Sequence, residues 1–173
     1  VITPKQEKWI EHLSNETKVR IVPFDSTAEE KFQIIKNKIQ SSLGAGTLVI
    51  HRGATSLGIS GQDEIDIYIP VSLQDFDKTV PFLENIFGAP RSLYPLERAR
   101  FVTEVDGKHI DLFLINNTSE GWLDGITFEA YLRKHPETLK AYEQLKEGMN
   151  GFSTREFYRR KIEFINDVLS KTK

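Results

Sequence analysis

Apolar and polar positions along this 173-residue chain switch between a helical and an alternating period, and each switch marks an element. Residues 4–14 carry Trp9, Ile10 and Leu13 at helical spacing, with Thr3 placed to cap and Pro4 suited to the first turn. Lys18 to Val22 alternates, which predicts a strand that Pro23 ends. Ala28, Phe32, Ile35, Ile39 and Leu43 then recur at three- and four-residue intervals, the stripe of an amphipathic helix. Ser26 and Thr27, each three residues before Glu29 or Glu30, predict a capping-box start, and Gly44 stops the helix. Strands follow at 47–51 and 64–69, the second reading Glu64-Ile65-Asp66-Ile67-Tyr68-Ile69.

Residues 73–87 form the next helical pattern, with Phe76, Val80, Leu83 and Phe87 on one side and a kink or split expected at Pro81. Asp106-Gly107 between two alternating runs, 98–105 and 108–115, predicts a β-hairpin. Three helical segments close the chain, at 119–134, 137–149 and 154–171; Ser153 and Glu156 have capping-box spacing at the start of the last. The architecture expected from this order is α+β. A small mixed β-sheet with flanking helices occupies residues 18–117, preceded by a helical extension (1–17) and followed by a three-helix C-terminal subdomain (118–173) that forms one compact unit with the core.

Composition narrows the chemistry. With 39% apolar residues the chain supports one good core and is short for two full domains. There are no cysteines, which excludes disulfides, thiolate catalysis and zinc–thiolate sites. No apolar run approaches the ~20 residues of a membrane span, and the first residues lack a signal pattern, so the expectation is a cytoplasmic protein without a membrane partner. The formal net charge is −2, too small for a global field toward nucleic acid. The charges are unevenly placed. Residues 131–173 hold 10 Lys+Arg against 6 Asp+Glu, which leaves 13 against 19 of the totals of 23 and 25 for the rest. A basic tail half suits an anionic ligand and equally suits scattered surface charge.

Candidate chemistry gathers on the strands. In an extended chain Glu64 and Asp66 point one way and Ile65, Ile67 and Ile69 the other. Two carboxylates on one face repel, and a divalent metal offsets that cost. His109, Asp111 and Phe113 share a face of the later strand. If that hairpin pairs beside 64–69, Glu64, Asp66 and Asp111 converge. Three such acids can hold two divalent cations that clamp nucleotide phosphates and activate an attacking hydroxyl. The same acids also suit the wet face of an antiparallel sheet. Asp63 is expected to face away into solvent.

The run Gly53-Ala54-Thr55-Ser56 is a small-residue turn that lets backbone N–H groups and hydroxyls approach a phosphate, or is simply a turn. Arg98 and Arg100 share one face and offer guanidinium forks suited to phosphate. Arg159, Arg160 and Lys161 read as a solvated helix face. His51 and His109 read as structural histidines. No nucleophile pattern with a base nearby is visible, and neither a phosphate loop nor a dinucleotide fingerprint occurs.

The order strand, glycine turn, acid–apolar–acid strand and later strand acid resembles the nucleotidyltransferase superfamily, and the chain resembles the GrpB family within it. His51-Arg52-Gly53-Ala54-Thr55-Ser56 with Ile65-Asp66-Ile67 is one matching block. Trp122 and Thr127-Phe128-Glu129-Ala130-Tyr131-Leu132-Arg133-Lys134-His135-Pro136 form the more specific one, continued by Tyr142, Leu145-Lys146, Lys161 and Phe164-Ile165. The likeness runs over about residues 18–171. It implies a nucleotidyltransferase-type fold and a metal-dependent enzyme that transfers a nucleotidyl group from an NTP to an acceptor hydroxyl. Glu64, Asp66 and Asp111 would then hold Mg²⁺ or Mn²⁺. Gly53, Ala54, Thr55 and Ser56 would hold the triphosphate, Arg98, Arg100 and Arg133 would balance its charge, and RNA or another anionic molecule would be the acceptor. The chain departs from the family at Ala54, where a serine is usual, at Gln62-Asp63 in place of Lys-Pro, and at Glu64 in place of an apolar residue. The missing serine favours an alternative, a non-catalytic nucleotide- or RNA-binding module of the same fold. A regulatory interaction protein with merely exposed acids is the third reading.

Overall fold

A computed structural model describes residues 1–172. Among the described residues there are seven helices and five strands: α1 (Pro4–Glu11), α2 (Ala28–Leu43), β1 (Ile50–Arg52), α3 (Gly53–Leu57), β2 (Glu64–Val71), α4 (Leu73–Phe87), β3 (Ser92–Tyr94), β4 (Arg98–Val105), β5 (Lys108–Asn116), α5 (Glu120–Lys134), α6 (Pro136–Gly148) and α7 (Thr154–Ser170). The strands form one mixed sheet in the order β1-β2-β5-β4-β3. β2 and β5 run parallel, and the other neighbours are antiparallel. The chain divides into two compact units.

The sheet unit comprises Asp25–Gly58 and Asp63–Leu123. Period-two alternation decides its core. Ile65, Ile67 and Ile69 of β2 meet Ile110, Leu112 and Leu114 of β5 and Ala99 and Phe101 of β4, all fully buried. Phe32, Ile35 and Ile39 of α2 and Phe76 and Leu83 of α4 join the same cluster on that face of the sheet. Pro81 does not split α4, which continues through it as one helix. It lies on the exposed side, as does Asp77 four residues earlier, whose carbonyl loses its helical partner to proline but keeps access to water.

The helical unit comprises Val1–Phe24, Ile59–Gln62 and Asp124–Lys173. Here Val19, Met149 and Phe157 form the core. Phe128, Tyr142 and Phe164 pack as a second aromatic group, with Phe128 edge-on to both others. The segment 1–17, expected as a separate extension, docks in this unit: Trp9 of α1 lies edge-on to Tyr158 of α7, and Glu7 pairs with Arg159. The Arg159 bonds hold the Glu7 carboxyl below its ordinary range.

Three local expectations fail for identifiable reasons. Lys18 to Val22 makes only two isolated bridges, Lys18 to Ser153 and Val22 to Gly61, because each partner is a single loop residue and no ladder can extend. Its alternation serves instead to bury Val19. The capping box at Ser26/Thr27 does not form: Thr27 has helical backbone angles and its hydroxyl donates to Asp25 Oδ1 at 2.6 Å. The strand expected at 47–51 starts only at Ile50. By contrast Thr3 caps α1 with a full box to Gln6, and Ser153 accepts from Glu156 N–H at α7. β3, a three-residue edge strand, has no sequence signal long enough to read.

A buried cation ties the sheet unit together away from its apolar core. Lys108, at the start of β5, has a side chain 8% exposed, with Nζ 2.7 Å from Asp63 Oδ1 and 3.2 Å from Asp25 Oδ2. Asp63 was expected to face solvent; it adopts a positive φ of 64° and turns its carboxylate onto this lysine. Such a pair resists removal of one partner, because the other charge is left buried. Two hydrogen bonds from Thr27, and then Lys108, hold the Asp25 carboxyl far below its ordinary range. A depressed folded-state pKa stabilises the fold above the unfolded value and is lost as pH falls below it. Acid titration of the melting temperature should therefore show wild type losing stability below about pH 4 more steeply than Asp25→Asn, whose side chain does not titrate. Parallel acid profiles would show that Asp25 is not part of the acid transition.

Candidate functional site

The face of the sheet opposite α2 and α4 carries the polar chemistry, and strand register decides which residues meet. Across the parallel β2–β5 ladder, Glu64 pairs with His109, Asp66 with Asp111 and Tyr68 with Phe113. On the outer side of β2, Arg52 of β1 is opposite Asp66. On the far side of β5, Val102 and Glu104 of β4 are opposite Asp111 and His109. Glu64, Asp66 and Asp111 therefore share one face.

Each acid has a different environment. Asp111 is 5% exposed. Its Oδ1 accepts from Arg100 Nε at 2.8 Å and lies 2.7 Å from Arg100 Nη2 and 3.2 Å from His109 Nε2. Asp66 lies against the turn after β1: a Cβ placed on Gly53 would overlap Asp66 Oδ2. Gly53 also has φ +76°, so glycine is required there twice over, by conformation and by space. Glu64 is half-buried at the start of β2. The ligand atoms of Glu64, His109 and Asp111 all lie within 4.8 Å of one another, a mixed oxygen and nitrogen set able to hold a divalent cation. Asp66 is not in that set.

His109 is the residue missed in the sequence. Its shared parity with Asp111 was visible; its position beside Glu64 depends on a pairing between strands more than forty residues apart. Arg52 was also missed. It is 7% exposed, with its guanidinium over the rings of Tyr68 (4.7 Å) and Trp122 (5.3 Å). Tyr68 in turn stacks on Phe113 at 4.8 Å.

The three expected arginines have separate settings. Arg100 is on Asp111. Arg98 lies over Tyr94 and Phe113 at 5.2 and 5.7 Å from their centroids. Arg133 is exposed in the last turn of α5. The small-residue turn is not a loop but the five-residue helix α3, ended by Gly58 in the left-handed region. Within it Ala54 carries no donor on its side chain. Thr55 Oγ1 is 2.8 Å from His51 Nε2, and His51 Nδ1 is 2.9 Å from Glu29 Oε2. A carboxylate only accepts, so Nδ1 donates to Glu29, and in the neutral ring Nε2 accepts from the Thr55 hydroxyl. The Thr55 hydroxyl is thus engaged by His51.

The chain is an α+β protein built on a five-stranded mixed sheet. Residues 18–171 match the GrpB protein family, and the chain belongs to that family. Its structure is similar to the crystal structure of conserved protein GrpB from Enterococcus faecalis, with a TM-score of 0.67 and 16% sequence identity over 88% of this chain and 98% of that one. No curated protein matches. Among the described residues no helix is long and apolar enough to cross a membrane.

The contact at Gly53 makes a direct prediction. Gly53→Ala introduces both a left-handed alanine and a clash with Asp66, and should cost about 1–3 kcal/mol in chemical denaturation. An unchanged midpoint would show that the turn can move off β2 without penalty.

Proposed function

We propose that the protein is a metal-dependent nucleotidyltransferase-like protein of the nucleotidyltransferase fold, which takes an NTP with Mg²⁺ or Mn²⁺. The observation that carries this reading is the row Asp66–Asp111, in register across β2 and β5 and directly behind the Gly53 turn. A glycine turn against a strand carboxylate brings backbone N–H groups close to the place where a metal-bound phosphate would lie. The acids present fit a hard divalent cation. Glu64 and Asp66 would hold one such cation and Asp111 a second, and when bound they would neutralise phosphate charge and lower the pKa of an acceptor hydroxyl. Gly53 and Ala54 N–H groups with Ser56 would orient the triphosphate. Arg98 would balance its charge. RNA or another anionic molecule would be the acceptor.

A second reading, a nucleotide- or RNA-binding module without catalysis, is favoured by one specific contact. Arg100 places Nε and Nη2 on Asp111 Oδ1, so the third acid is compensated inside the protein before any cation arrives. Ala54 points the same way.

Isothermal titration with Mn²⁺ in the presence of a non-hydrolysable NTP should give saturable binding that Asp66→Asn weakens at least about tenfold, as expected for loss of a charged ligand. Equal binding by wild type and variant would sink the metal reading. Binding without pyrophosphate release across a panel of hydroxyl acceptors would select the non-catalytic module.

A further inference from the structure

No hydroxyl with a nearby base is legible in the sequence, yet the fold assembles one outside the acid face. His51 of β1 is on the core side of the sheet, opposite Ile67. Its ring stacks on Phe32 of α2, with centroids 4.9 Å apart and planes at 23°, and its side chain is 7% exposed. Nδ1 meets Glu29 Oε2 at 2.9 Å, and Nε2 meets Thr55 Oγ1 at 2.8 Å. Glu29 is itself fixed: Gln33 Nε2 donates to its other oxygen at 2.9 Å. The Gln33 bond and then the His51 bond hold the Glu29 carboxyl below its ordinary range, so it is ionised at neutral pH.

In the neutral-ring state the order is carboxylate, imidazole with Nδ1–H, and hydroxyl donating to Nε2. A nucleophile in hydrogen-bond reach of a base that a third group orients is the signature of covalent catalysis. Phe32 adds a constraint on the ring plane. Thr55 is also presented by a sharp strand-to-helix turn, since Gly53 at φ +76° redirects β1 into α3; nucleophiles are commonly displayed on such turns. Thr55 is half-buried, which suits a small acyl group.

We propose that Thr55 is a nucleophile activated by His51 and Glu29, accepting the acyl group of a small activated ester. As Thr55 Oγ bonds to the carbonyl carbon, its proton passes to His51 Nε2. The tetrahedral adduct collapses, the ester C–O bond breaks, and the leaving alcohol takes that proton from His51. Water then attacks the acyl-threonine, giving a proton to Nε2. The carboxylic acid leaves, and Nε2 returns the proton to Oγ. Glu29 stays ionised throughout and acts as a positioning residue. No metal and no nucleotide take part, so this activity stands apart from the nucleotidyl-transfer reading.

The test uses the full chain with EDTA and p-nitrophenyl acetate. Wild type should release a burst of p-nitrophenolate and carry one acetyl group on the Thr55 peptide by mass spectrometry. Thr55→Ala should lose that adduct, while Thr55→Ser should restore it on the same backbone position. His51→Gln should slow acylation about 10²–10⁴-fold, the usual worth of a general base. Glu29→Gln should slow it while leaving the adduct at Thr55. Circular dichroism establishes that each variant is folded, and the Ala/Ser pair decides the matter even if His51→Gln is not. Absence of an acetyl group at Thr55 in wild type, with label on lysines alone, overturns the proposal. So does an equal burst in Thr55→Ala.

Discussion

The parallel pairing of β2 with β5 is the constraint on which the rest of this structure depends. In a ladder, residues directly opposite one another project to the same face, so a single register assigns every side chain of both strands at once. Ile65, Ile67 and Ile69 enter the core beside Ile110, Leu112 and Leu114. Glu64, Asp66 and Tyr68 then have no choice but to meet His109, Asp111 and Phe113. A slip of β2 by one residue would turn Glu64 and Asp66 toward the core and Ile65, Ile67 and Ile69 away from it. Apolar burial on one face thus holds like charges together on the other.

The surroundings offset that cost in two ways. Arg100 and His109 crowd Asp111, which lets a carboxylate that is 5% exposed stay in place. Arg52 brings a second cation into the same row, spread over Tyr68 and Trp122. The chemistry of this face is consequently more mixed than three acids alone. Arginine, histidine and aromatic rings share it, and the balance between cation binding and internal compensation separates an enzyme from a binding module.

His51 shows how one residue type serves two levels of organisation. It reads as a structural histidine, and its stacking on Phe32 fits that description. The same burial fixes both ring nitrogens on partners from different elements, Glu29 of α2 and Thr55 of α3. Glu29, near the start of α2, turns its carboxylate to His51 and to Gln33.

Periodicity by itself determined the main helices, the 98–105/108–115 hairpin, the apolar faces of β2 and β5, and the candidate acids Glu64, Asp66 and Asp111. Those features depend on spacing within one segment, which the chain states directly. Matching blocks around Gly53 and around Tyr131–Pro136 were enough to suggest the GrpB family. What the sequence could not show is which segments become neighbours. The parallel register, the entry of His109 among the acids, the capture of Asp111 by Arg100, the burial of Lys108 between Asp25 and Asp63, and the Glu29–His51–Thr55 relay all join residues from different elements. Their partners are chosen by how faces pack. No short-range pattern encodes that choice, so only the tertiary structure could decide it.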